Sequence, residues 1–108
     1  MNREALLKTT GCFHEYVVDS LRDPKEASVY LQVALDEYQE DNNVEAFLMA
    51  LRTVAEAQGG VGALAKKAKL NRQHLYNALS HKGNPKLETL GALLKALGFH
   101  LLIAPITK

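Results

Sequence analysis

The stretch from Val61 to Ser80 constrains the fold most, because its apolar residues arrive in two short bursts separated by only three residues. Gly59-Gly60, tolerant of positive φ, closes whatever helix comes before it. Leu64, Ala65 and Ala68 then share one face of a helix over Val61 to Ala68. Lys69-Leu70-Asn71 interrupts the pattern, and Asn71 is a good N-cap for a second helix running from Arg72 to about residue 80. Leu75 and Leu79, four residues apart, hold that second helix to whatever lies behind it.

What lies behind is helical as well. Asp23-Pro24-Lys25-Glu26 is a start signal: Asp23 can accept from free N–H groups of the first turn, Pro24 suits the first helical position, and Glu26 completes a capping-box pattern. Ala27, Tyr30, Leu31, Ala34, Leu35 and Tyr38 form one stripe ending near Glu40. Asp41-Asn42-Asn43 makes a turn and caps the next helix, where Val44, Phe47, Leu48, Leu51, Val54 and Ala55 repeat the spacing. Past the two short helices, Ser80-His81-Lys82-Gly83-Asn84-Pro85 is a turn-rich basic loop. Leu87, Leu90, Leu93, Leu94 and Leu97 mark a last amphipathic helix, closed by Gly98.

Phe99 to Ala104 is too short for a helix after a stop glycine and reads as a strand ended by Pro105. A lone strand needs a partner. The same strand of a second copy would satisfy its edge, and so would Phe13 to Val18, an aromatic and β-branched stretch that reads equally as strand or helix. The expectation is an all-α, compact five-helix bundle with one short C-terminal strand used in dimerisation. Residues 1 to 22 form an N-terminal extension and residues 23 to 108 a single domain, a common size for one modest core.

No apolar run approaches the roughly 18 residues of a membrane span, and Arg3, Glu4 and Lys8 punctuate the N-terminus where a signal peptide would be apolar. Cys12 is the single cysteine, a small buried or surface side chain that cannot form an internal disulfide, so the expected compartment is a reducing cytoplasm. Net charge is +1, yet the halves differ sharply. Residues 1 to 58 carry eleven acids against five bases, a net of −6, while residues 59 to 108 carry Glu88 alone against eight bases, a net of +7. Such asymmetry suits a C-terminal half made for a polyanion.

Two short helices joined by a tight turn, between flanking helices that complete a core, are the organisation of a helix-turn-helix unit. The second helix is the reader, with its first turn aimed at the major groove. Arg72 is matched to guanine, Gln73 and Asn77 to adenine, and Tyr76 to a sugar or a thymine methyl. Backbone phosphate contacts fall to Lys66 and Lys67 before the reader, Asn71 and His74 at its start, and Lys82, Asn84 and Lys86 after it. Backbone N–H groups at the start of the Val61 helix could add an anion site. Operator DNA bound by a two-fold homodimer, with half-sites about 34 Å apart, is the expected partner.

Enzymatic chemistry finds no support. His14, His74, His81, His100 and Cys12 show no metal-ligand spacing, and Gly59-Gly60-Val61-Gly62 lies between two helices rather than after a strand. The acids fall on exposed helix faces, where solvation is the ordinary role. No catalytic residue, metal or cofactor is expected.

The stretch Val61 to Ser80 resembles the helix-turn-helix of phage Cro and repressor proteins, with Ala65 at the tight helix contact, Leu70 before the reader and Leu75 in its buried seat. The chain further resembles the addiction-module antidote proteins, the HigA-like antitoxins. That likeness rests on "YLQVALDE" at 30 to 37 and on "LYNALS" followed by "GNP" and "ALG", and it covers roughly residues 16 to 104. It implies a lambda-repressor-like antitoxin that represses its own operon and binds a small toxin, commonly a ribosome-dependent ribonuclease. The acidic half would suit a basic toxin, with residues 24 to 45, Asp36, Glu37 and Glu40 among them, contributing the surface. A stand-alone repressor and a protein-interaction module with a repurposed reader are the alternatives. One position departs from the family: Lys69 stands where the turn usually holds glycine, and a left-handed lysine costs about 1 kcal/mol or more.

Overall fold

The structure, a computed structural model, describes residues 13–80 and 82–106. Cys12, His81, Lys108 and the N-terminal charges Arg3, Glu4 and Lys8 lie outside the described residues. Among the described residues the regular elements are six helices: α1 (Phe13–Ser20), α2 (Pro24–Asp41), α3 (Val44–Ala57), α4 (Val61–Ala68), α5 (Arg72–Ala78) and α6 (Leu87–Leu97). The all-helical expectation holds.

Local signals set the boundaries. Asp23 accepts from the Lys25 N–H at 2.9 Å with Pro24 in the first turn of α2, and Asn43 accepts from the Glu45 N–H at 3.0 Å to open α3. Between them Asn42 ends α2 in the left-handed region at φ 59°, its N–H bonded to the Tyr38 carbonyl. Gly59 and Gly60, at φ 108° and 100°, turn the chain out of α3 through a conformation that side chains resist.

Packing joins the two ends of the chain into one core. The long α2 lies against α3, α1 crosses α3, and α4 bridges α3, α5 and α6. Leu48, Leu51 and Val54 of α3 belong to the same buried cluster as Leu31 of α2, Leu64 of α4, Leu75 and Leu79 around α5, and Leu93 of α6. Helices as short as α4 and α5 are marginal alone, so this shared core is what keeps them formed.

Three expectations need correction. Phe13 to Val18 forms α1, a sixth helix, with Val18 buried and His14 bonded across to Glu56 of α3 at 3.1 Å. No strand forms over Phe99 to Ala104: the chain leaves α6 with Phe99 N–H bonded to the Leu94 carbonyl, then runs without regular structure. The reason is a missing ladder, since the backbone groups of the one candidate sister within the chain are occupied in α1. Leu87, expected on the apolar stripe of α6, is 73% exposed because it sits in the first turn, outside the reach of the core.

Candidate nucleic-acid interface

The joint between α4 and α5 is built from three residues. Lys69 takes φ 59°, ψ 41° and donates its N–H toward the carbonyls of Ala65 and Lys66, and the Leu70 N–H bonds back to Ala65 at 2.8 Å. These bonds satisfy carbonyls that the helix end would otherwise leave free. The left-handed turn therefore forms with lysine in it. Asn71 follows in extended conformation, and its Oδ1 accepts from the His74 N–H at 2.9 Å, opening α5.

Behind α5, Leu75 and Leu79 are fully buried and half-buried Leu70 packs against the same cluster. At the C-terminal end, the guanidinium of Arg52, reaching across from α3, donates to the Leu79 carbonyl. A helix of seven residues thus has a side chain fixing each end, Asn71 on one and Arg52 on the other.

The outer face carries Arg72, Gln73, His74, Tyr76 and Asn77, all exposed. The four expected base readers form two i,i+4 pairs. The Arg72 guanidinium stands 5.5 Å from the Tyr76 ring centroid, and the Gln73 Nε2 donates to the Asn77 Oδ1 at 3.3 Å. The Arg72 side chain passes over Gly62 of α4, where a Cβ would stand 3.4 Å from its Nε. Seating a guanidinium on an aromatic ring is worth about 0.5–1 kcal/mol at an exposed site. Part of its rotamer freedom is thereby lost before any ligand arrives.

The expected phosphate contacts lie on α4, on α5 itself and in the loop after it. Lys66 and Lys67 are exposed in the last turn of α4, and Lys82, Asn84 and Lys86 are exposed between α5 and α6. Asn71 keeps only its amide nitrogen for a phosphate, because its oxygen is committed to the cap. His74 is exposed on the first turn of α5. Gly60 precedes α4 and supplies no side-chain cap, so the first turn of that helix has no acceptor from its own N-cap side chain.

Two positioning residues escaped the sequence reading. Arg52 is the one base of α3, beside buried Leu51, and a cation amid an apolar helix was the available signal. Gly83 folds the basic loop back onto α5: its N–H bonds Ser80 at 2.8 Å, and any Cβ there would collide with the Ala78 carbonyl. A turn-rich loop pointed to glycine, but not to this close approach.

Among the described residues no three His, Cys, Asp or Glu side chains group as a metal site, and no helix is long and apolar enough to cross a membrane. Every buried side-chain polar atom described has a hydrogen-bond partner. A family model described as "probable addiction module antidote protein" matches residues 13–105. A protein of Haemophilus influenzae, described as uncharacterized, is 34% identical over 73 residues, covering 68% of this chain and 74% of its own length. No solved structure matches the chain. With the match running from α1 past the end of α6, the chain belongs to the family of probable addiction module antidote proteins, and membership implies a cognate toxin as its partner.

Proposed function

We propose that this chain is a HigA-like antitoxin that neutralises its toxin and represses its own operon through a Cro-type helix-turn-helix formed by α4 and α5. The carrying observation is the exposed, pre-paired face of α5, fixed at both ends and set in the half of the chain with net charge +7. The DNA-binding unit spans residues 23 to 108. Arg72, Gln73, Tyr76 and Asn77 read base edges, and Lys66, Lys67, Asn71, His74, Lys82, Asn84 and Lys86 hold the phosphates.

Two copies bind together on a two-fold operator. Supporting this, Leu102, Ile103 and Ile106 are 82%, 100% and 89% exposed, an apolar tail that a second copy would cover. The compartment is the cytoplasm, where operator and toxin are both met.

The test is a gel shift on the DNA upstream of the gene, titrated in salt. Arg72→Ala and Asn77→Ala each cost about 1–3 kcal/mol on that DNA and little on random sequence, whereas Lys82→Ala weakens both alike and flattens the salt dependence by about one unit. Equal loss on both DNAs for all three variants would defeat the assignment of readers.

A further inference from the structure

The apolar surface with the clearest shape lies away from α5, on the acidic half. A furrow runs between α1, α2 and α3, floored by Val17, Leu21, Ala34 and Ala50, with Val29, Val33 and Met49 along it. The last three are 61%, 51% and 53% exposed, too much apolar surface on adjoining helices to be scattered chance. The charged residues lining it, Glu26 and Glu37, are both acids. Around them, residues 13 to 58 hold ten acids against three bases.

The furrow does not end at α3. Val17, Tyr30 and Met49 also line a second depression, which continues past Arg52 and Glu56 to Val61 and Tyr76. The two adjoin at these three residues as a channel whose charged lining is Glu26, Glu37 and Glu56 against Arg52, with His14 bonded to Glu56. An apolar floor with acidic banks between helices is the setting for an amphipathic helix laid lengthwise, its apolar side down and its basic flanks against the acids. A polyanion is repelled here, and a small ligand finds few convergent polar groups.

We propose that this channel is the docking site for an amphipathic helix of a small basic partner protein. That the partner is the toxin rests on the antitoxin reading above; the chemistry of the occupant rests on the channel alone. The binding core is Val33 and Met49, with Glu37 guiding approach.

The experiment uses the full chain and two labelled synthetic peptides about five turns long. One carries leucines at helical spacing with lysines elsewhere, the other the same leucines with glutamates, and fluorescence anisotropy reads binding. The leucine–lysine peptide binds and the leucine–glutamate peptide does not. Val33→Asp and Met49→Asp each weaken binding at least tenfold despite adding a negative charge, while Val33→Leu retains it. Unchanged thermal melting shows that each variant is folded. If Val33→Asp binds the lysine peptide as well as or better than the parent, attraction is only electrostatic and the proposal fails. Light scattering on the parent and Val33→Asp is the second arm: a drop in mass on substitution identifies a second copy as the occupant and overturns the proposal. Gel shifts on the upstream DNA are run separately, so loss of the repressor reading and loss of the channel reading are told apart.

Discussion

Between α2 and α3 the chain turns on Asn42 and Asn43; between α4 and α5 it turns on Lys69, Leu70 and Asn71. Both joints place one residue at φ 59° and then an asparagine that caps the next helix through its side-chain oxygen. Asparagine visits the left-handed region readily because its short side chain bonds locally, whereas lysine there carries a strain of about 1–2 kcal/mol. Part of that strain is offset by position. Lys66, Lys67 and Lys69 crowd the C-terminal end of α4, where the helix dipole favours cations by about 0.3–1 kcal/mol each. The acidic hairpin uses the residue that suits its turn, and the basic hairpin keeps a charge beside α5 instead.

The comparison can be broken most severely at the shared core. Leu48→Ala in the acidic hairpin and Leu75→Ala in the basic one are each expected to cost about 2–5 kcal/mol, since both side chains are fully buried. Urea unfolding followed by tyrosine fluorescence and far-UV circular dichroism should stay coincident for both variants. If Leu75→Ala separated the two probes, the hairpins would be independent units.

A smaller effect falls on a feature the acidic joint lacks. Gly83→Ala drives a methyl toward the Ala78 carbonyl and should destabilise by about 1–3 kcal/mol, as overpacking does, with loss of DNA affinity. A shift in the urea midpoint equivalent to less than about 0.5 kcal/mol would show that the loop yields easily.

The caps come next. Asn43→Ala and Asn71→Ala should each cost about 1 kcal/mol, but with different reach. The α3 helix has 14 residues to absorb the loss and α5 only 7, so amide exchange at Leu75 should quicken in Asn71→Ala more than exchange at Leu51 does in Asn43→Ala. Equal protection loss would remove that distinction.

The smallest effect sharpens the comparison itself. Lys69→Gly should stabilise by about 1 kcal/mol, raising Tm by about 4–8 °C, while Asn42→Gly changes stability by only a few tenths of that. Matching responses at the two sites would mean that the lysine carries no special strain.

How far these features could be read in advance follows from how local their causes are. Asp23, Asn43 and Asn71 cap helices through bonds to N–H groups two or three residues away, and that proximity makes them legible in sequence order. The break between two apolar bursts located the turn at Lys69, but its left-handed conformation was indicated only by the resemblance to a family with glycine there. Phe13 to Val18 was ambiguous, since an aromatic and β-branched run this short fits either period and only burial of Val18 and Leu21 beside α3 selects the helix. The strand over Phe99 to Ala104 was an inference about pairing, and pairing is decided by a neighbour that composition does not reveal. Arg52 was hidden for the same reason: its acceptor, Leu79, lies 27 residues away.

That single arginine also joins two regions of the surface. Its side chain borders the channel on the acidic half and holds the carbonyl that ends α5. The channel and the C-terminal end of α5 thus meet at one half-buried guanidinium, and a molecule settled in the channel would lie beside the group that holds the Leu79 carbonyl.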